Sequence, residues 1–257
     1  MSKVKMKEYC KGIKGLIFDY GGTIDSAGDH WSEVILRAWH SVLSDAVNRE
    51  LFRDSYVEGE RAMARERIIM PEDDFRTTLL KKIRVELKWY VGHSQDISDP
   101  DQKEVVDKIS ADPEGIANAI ADDCDRRARR SVEEAEIVLG KLQKRYPMVL
   151  VSNFYGNVNS VLSTYGVDRY FREVVESAVV GVRKPDPKIF SLGVEALGMR
   201  PEEVVVIGDT YKKDILPALT IGCKAIWIKG KGWTEADDAQ DYPHIIKNLR
   251  ELENCLL

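Results

Sequence analysis

Short apolar runs rich in β-branched residues punctuate the second half of the chain: Met148 to Val151, Glu173 to Val180, Val204 to Ile207 and Lys224 to Ile228. The stretches between them repeat their apolar positions every three to four residues, so the pattern reads strand, helix, strand. Runs with so few polar positions suit strands buried on both faces, which predicts a parallel sheet covered by helices on either side. Helix starts are marked as well. Asp186 followed by Pro187 offers an N-cap and a proline at the first helical position, leading into Ile189, Phe190, Val194 and Leu197 on one face. Pro201 opens a further turn ahead of Glu202 and Glu203, and Val132, Ala135, Val138, Leu139 and Leu142 predict a helix leading into the run that ends at Ser152.

A first strand is expected at Gly15 to Phe18, after which the period changes. Between about Ser26 and Arg130 no strand pattern stands out. Trp31, Val34, Ile35, Ala38, Trp39, Val42 and Leu43 form one helical stripe, Phe75, Leu79, Ile83 and Leu87 a second, and Ile116, Ala119, Ile120 and Cys124 a third. Each stripe reads as core packing. The arginines at 126, 127, 129 and 130 read as a solvated helix end that complements the dipole. The chain is therefore expected to be α/β, a doubly wound parallel sheet built from residues 1–25 and 131–257, with an all-helical insertion over 26–130.

Composition narrows the partners. A chain of 257 residues with 44% hydrophobic content can bury a sizeable core. Its net charge of −5 supplies no positive field for a nucleic-acid backbone or an anionic membrane, so neither partner is expected. Cys10, Cys124, Cys223 and Cys255 are scattered without a CxxC pair and read as reduced thiols. The N-terminus carries Lys3, Lys5 and Lys7 without an apolar leader core, and no apolar run reaches the ~18 residues of a membrane span, so the expected address is cytoplasmic. Asp237 to Asp241 reads as a solvated loop.

Residues with chemistry to offer cluster just past the strands. Asp19 closes the first run and precedes Tyr20, Gly21, Gly22 and Thr23; Ser152 and Asn153 come after the second; Lys184 precedes Pro185; Asp209 and Asp214 come after Val204 to Gly208. In an open α/β sheet the ligand site lies beyond the carboxyl ends of the strands, so these residues are expected to converge. Phosphoryl transfer needs a nucleophile, charge neutralisation and donors to the phosphoryl oxygens. Asp19 suits the nucleophile, Gly21 and Gly22 allow close backbone approach to phosphate, and Lys184 and Ser152 supply a cation and a hydroxyl. Asp209 and Asp214 would repel Asp19 without a hard divalent cation, and oxygen-only ligation favours Mg²⁺.

These four segments, Phe18 to Thr23, Val151 to Asn153, Arg183 to Pro185 and Gly208 through Asp214, resemble in order and separation the motifs of the haloacid dehalogenase-like (HAD) hydrolases, in the branch with a helical C1-type cap inserted after the first motif. The resemblance implies a Rossmann-like core and a cap that closes over the site and helps to select the substrate. It implies Asp19 as nucleophile and metal ligand, the Gly21 carbonyl and Asp209 as further metal ligands with Asp214 in support, and Ser152 and Lys184 as holders of the phosphoryl group, beside Gly22 and Asn153. The implied activity is a Mg²⁺-dependent phosphatase for a small phosphorylated metabolite.

One position departs. Family phosphatases place an aspartate two residues after the nucleophile as acid and base; here that residue is Gly21. General acid–base catalysis is worth roughly 10²–10⁴-fold, so the proton work must go elsewhere or be unnecessary. A substrate with a good leaving group, a stand-in such as Asp25 or His30, and chemistry needing no acid, as in dehalogenases, each meet the requirement. Phosphonate cleavage with a cap lysine is a further variant, although Lys81, Lys82 and Lys88 read as surface residues. A weak phosphate-binding or interaction protein on the same scaffold is the alternative to an enzyme.

Overall fold

The computed structural model describes residues 3–257; residues 1 and 2, the start of the expected segment 1–25, lie outside the described residues. Six parallel strands form one sheet: β1 (Gly15–Phe18), β2 (Met148–Ser152), β3 (Glu173–Glu176), β4 (Val204–Gly208), β5 (Lys224–Ile228) and the two-residue β6 (Ile245–Ile246), in the order β3-β2-β1-β4-β5-β6. The chain winds outward from β1 in one direction, returns to its other side at β4 and winds outward again. A doubly wound sheet thus has its switch point between β1 and β4.

Both sheet faces are buried, and the period of two explains the composition of each. Ile17, Val149, Val151, Val204 and Val206 face one side; there they pack with Ile189, Phe190, Val194 and Leu197, the stripe expected after Pro187. Full burial of one such aliphatic or aromatic side chain stabilises by roughly 1.5–3 kcal/mol. Leu16, Phe18, Leu150, Val205 and Ile207, the intervening residues, are equally buried.

The chain divides into two compact units, Met1–Trp31 with Ala128–Leu257, the former carrying α1 (Lys3–Tyr9), and, separately, Ser32–Arg127. The second is helical. It contains α2 (Trp31–Val42, from its second residue), α3 (Arg49–Arg65), α4 (Phe75–Gly92), α5 (Pro100–Ala111) and the first half of α6 (Pro113–Leu142). Local chemistry starts several of these helices: Asn48, Asp74 and Asp99 accept hydrogen bonds from the third following backbone N–H, at 3.0, 2.8 and 3.0 Å. Trp39, Phe52 and Tyr90 meet edge-on at its centre, with Ile83 and Leu87 fully buried nearby in sequence on α4.

Several local expectations change. The run Glu173 to Val180 is a strand only to Glu176; Ser177–Val180 is a helical turn, α7 lying before it at Val158–Tyr165 and the turn being α8. Glu176 and Ser177 are recruited by backbone N–H groups of Gly156 and Phe154, and Gly181 ends the turn in the left-handed region, so the valines at 179 and 180 stay exposed. The arginines at 126–130 occupy the middle of the 30-residue α6, not a helix end, and Arg126 and Arg127 pair with Asp123 at 2.7 and 2.6 Å. On the same helix the buried face is Ala117, Ile120, Ala121 and Cys124, with Ile116 and Ala119 only half-buried. Lys82 is buried, ion-paired with Glu60 and 3.8 Å from Glu86, rather than lying on the surface. The acidic stretch from 237 begins inside a short helix, Glu235–Ala239, capped by Thr234. All four cysteines are buried and free. Among the described residues no helix is long and apolar enough to cross a membrane.

Candidate active site

Strand register brings distant residues together. Phe18 pairs with Leu150 of β2 and with Ile207 of β4, so the residues that leave these three strands emerge side by side. The Asp19 N–H donates to the Ile207 carbonyl at 2.9 Å, carrying the pairing one residue beyond the strand. Carboxylate oxygens of Asp19, Asp209 and Asp214 all lie within 4.8 Å of one another. Lys184, 165 residues from Asp19, donates from Nζ to Asp19 Oδ1 at 2.5 Å and to Asp214 Oδ1 at 2.6 Å. Asp19, Lys184 and Asp214 are all at most 4% exposed.

Each charged group is braced. Thr23 donates its hydroxyl to Asp19 Oδ2 at 3.0 Å. Thr210 donates its backbone N–H to Asp214 Oδ2 at 3.0 Å and its hydroxyl to Asp209 Oδ2 at 3.1 Å. The Trp227 indole N–H holds the Asp209 carbonyl at 2.5 Å. Asn153 donates Nδ2–H to the Lys184 carbonyl at 3.1 Å and accepts the Lys184 N–H at 2.9 Å. Its side chain, expected on phosphate, thus also braces Lys184 through one N–H and its oxygen. Ser152 ends β2 and is buried at the same sheet edge. Sequence pattern does not single out Trp227, and it shows Thr23 and Thr210 only as parts of motifs. A hydroxyl beside each motif aspartate is the available signal for the two threonines, whereas the indole contact, 18 residues away, has none.

The glycines explain how closely the loops approach. Gly22 has φ +96°, and a Cβ there would meet the Asp209 carboxylate at 2.3–2.7 Å, so only glycine fits. Gly21 differs: a Cβ there would meet nothing within 4 Å. The first atom of an acid/base side chain would have room here. Asp25 is buried behind this turn, accepting the Gly22 N–H at 2.7 Å and the Trp31 indole N–H at 3.0 Å. His30 lies against Trp233, with ring centroids 5.3 Å apart.

Electrostatics reflect crowding. Burial, partly offset by Lys184, pushes Asp19 up to about 6. Burial, then Asp214 and Asp19, raises Asp209 well above the usual carboxylate range. For Lys184 burial opposes the charge, but Asp19 and Asp214 outweigh it and raise the group above the ordinary lysine value. Burial lifts Asp25 to about 7 against the opposing Gly22 hydrogen bond. Three carboxylates facing one ammonium leave an excess of negative charge in a dry setting, and the donors are all oxygen. That set fits a hard divalent cation of the Mg²⁺ kind.

The sequence profile of the haloacid dehalogenase-like hydrolases matches residues 13–222. Glyceraldehyde 3-phosphate phosphatase of Pyrococcus furiosus is 35% identical over 92 residues, 35% of this chain and 38% of that protein. Phosphoserine phosphatase of Thermus thermophilus is 31% identical over 130 residues, 50% of this chain and 52% of that protein. The matches thus span about half or less of these curated relatives. Among solved structures, the HAD-hydrolase YfnB of Bacillus subtilis, bound to magnesium, aligns with a TM-score of 0.52 at 16% identity, covering 95% of this chain and 98% of that one. At that identity the likeness concerns the fold.

Proposed function

The chain belongs to the haloacid dehalogenase-like hydrolase family, and from that premise we propose that it is a Mg²⁺-dependent phosphatase acting on a small phosphorylated metabolite. One observation carries the reading: Asp19 stands at the switch point of the sheet, held by Lys184 and Thr23 and grouped with Asp209 and Asp214. Phosphatase relatives and a magnesium-bound structural neighbour support it. In this reading the carboxylates of Asp19, Asp209 and Asp214 and the carbonyl of Gly21 hold the cation, which neutralises phosphoryl charge when bound.

The chain's own residues do the rest. Asp19, pushed up to about 6, is mostly ionised at neutral pH and so able to act as nucleophile toward phosphorus. Its oxygen forms the new P–O bond, and the bond to the leaving oxygen breaks with its electron pair remaining on that oxygen. Lys184, cationic throughout, and Ser152 hold the equatorial oxygens, with the Gly22 backbone close by. Water then hydrolyses the aspartyl-phosphate; its elements restore the Asp19 carboxylate, release inorganic phosphate and supply the proton that the leaving group gains. The helical segment 26–130 is proposed as the substrate-selecting cap.

The lack of an acid/base side chain at Gly21 favours a substrate whose leaving group departs without an enzymic acid, such as an acyl phosphate. A weak phosphate binder is the second reading the same gap permits. The test is inorganic phosphate release from acyl phosphates and phosphomonoesters with Mg²⁺ and with EDTA. Turnover with Mg²⁺ that is lost in Asp19→Asn is expected; wild-type-like turnover in that variant refutes the proposal.

A further inference from the structure

The turn after Asp19 uses its carbonyls unevenly. The Tyr20 carbonyl accepts the N–H groups of Thr23 and Ile24 at 3.1 and 2.8 Å. The Gly22 carbonyl accepts the Gly28 N–H at 2.6 Å and the Ser26 hydroxyl at 3.1 Å. Among the described residues nothing donates to the carbonyl between them, that of Gly21. The N–H of the same peptide unit, on Gly22, is the one that Asp25 Oδ1 accepts at 2.7 Å.

We infer that Asp25 is a positioning residue that aims and polarises the Gly21 carbonyl toward a divalent cation held with Asp209, an inference that rests on the metal-dependent reading above. A trans peptide is planar, with N–H and C=O on opposite sides, so fixing the Gly22 N–H fixes the direction of the Gly21 oxygen. A hydrogen bond to a carboxylate is stronger than one to a neutral acceptor and shifts electron density along the amide to that oxygen. Asp25 is itself immobilised. It is 1% exposed, and its second oxygen accepts the Trp31 indole N–H at 3.0 Å. Gly22 meanwhile lies against the Asp209 carboxylate, which places this peptide unit beside the acidic cluster. With no side chain at Gly21, the position offers the site only its backbone, and Asp25 governs how that backbone is presented.

Charge and hydrogen bonding can be separated. The Gly22 and Trp31 N–H groups sit on different oxygens of Asp25; in a carboxamide one of those two positions is an NH₂ that cannot accept, so Asp25→Asn leaves one donor unpaired. Combining it with Trp31→Phe removes the second donor, which restores hydrogen-bond balance but not the charge. At a pH well above the value of about 7 to which burial lifts Asp25, so that its carboxylate is charged, Mg²⁺ is titrated calorimetrically into the wild type, Trp31→Phe, Asp25→Asn, the double variant and Asp209→Asn, with thermal melts to confirm folding and NMR of the Gly22 amide proton.

The expected result is a Gly22 amide at low field that moves on adding Mg²⁺ to the wild type. Trp31→Phe binds within about 2-fold of the wild type, and the folded double variant binds about 10-fold more weakly. Wild-type affinity in either folded Asp25 variant, or a Gly22 amide that ignores Mg²⁺, overturns the inference even if the Asp25 variants prove unstable. Failure of the wild type to bind Mg²⁺, or undiminished binding by Asp209→Asn, overturns instead the metal-dependent reading on which it rests.

Discussion

Replacing Gly21 with aspartate isolates the missing proton donor. The position tolerates the change: a Cβ there meets nothing within 4 Å, and Gly21 is not among the residues with positive φ. Substitution should also restrict the unfolded chain, offsetting part of the repulsion from neighbouring carboxylates by about 0.4–1 kcal/mol. In the turn after Asp19, where burial above all holds Asp19 and Asp209 above their ordinary pKa, a new carboxyl is expected to titrate high and so be available as an acid. If leaving-group protonation limits the natural enzyme, the acid should restore about 10²–10⁴-fold, equivalent to about 3–5 kcal/mol of barrier. The assay compares kcat for an alkyl phosphomonoester and an acyl phosphate, in Gly21→Asp and wild type, at saturating Mg²⁺. The alkyl ester should gain about 10²-fold or more and the acyl phosphate less than about threefold, since only the poor leaving group needs the proton. Equal changes for both substrates would refute the reasoning. A fall for both would show that the space left by Gly21 is itself used.

Other perturbations probe different parts of the molecule. Glu86 is fully buried on α4, and its carboxylate oxygens lack hydrogen-bond partners among the described residues. Burial raises it from 4.5 to about 8 against the opposing charge of Lys82. The folded state then holds the proton more tightly than the unfolded one, so its stabilisation is complete below about 4.5 and is lost as pH rises through 8. Denaturant melts of wild type should lose on the order of a few kcal/mol across that window relative to Glu86→Gln; parallel profiles would contradict this. Lys184→Met leaves Asp19 and Asp214 without their shared cation and should cost about 3–5 kcal/mol in metal-free urea melts, less with Mg²⁺ present. A cost independent of Mg²⁺ would argue against the cation site. Gly22→Ala forces an L side chain into φ +96° against Asp209 and should lower stability by about 1–3 kcal/mol and weaken Mg²⁺ binding at least about 10-fold, measured by melt and calorimetry. Unchanged Mg²⁺ affinity would mean that Asp209 is not a ligand.

Much of the fold is legible in one dimension because it rests on local rules. Buried strands on both faces must be apolar throughout, so β1, β2, β4 and β5 stand out as runs, and each of the first three ends beside a polar residue with chemistry to offer. Where β-branched residues are equally at home in a strand or an exposed turn, as in Glu173 to Val180, pattern alone misleads and contacts from Gly156 and Phe154 decide. The burial of Lys82 is likewise invisible, because its partner Glu60 lies 22 residues away; the continuity of α6 through its arginines instead rests on local pairs with Asp123 that the apolar pattern does not show.

The site divides in the same way. Sequence by itself determined which residues carry charge and hydroxyls, that they lie just past strands, and that position 21 has no side chain. Only the tertiary structure decided that Phe18 pairs with both Leu150 and Ile207, and this register is what sets Asp19 beside Asp209. It also decided that Asn153 braces Lys184, that Thr23 and Thr210 hold the carboxylates, and that Asp25 grips the Gly22 N–H. The physical reason is common to all of them: a residue's type is local, but its hydrogen-bond partners and its burial belong to the packed sheet and to the loops at its edge.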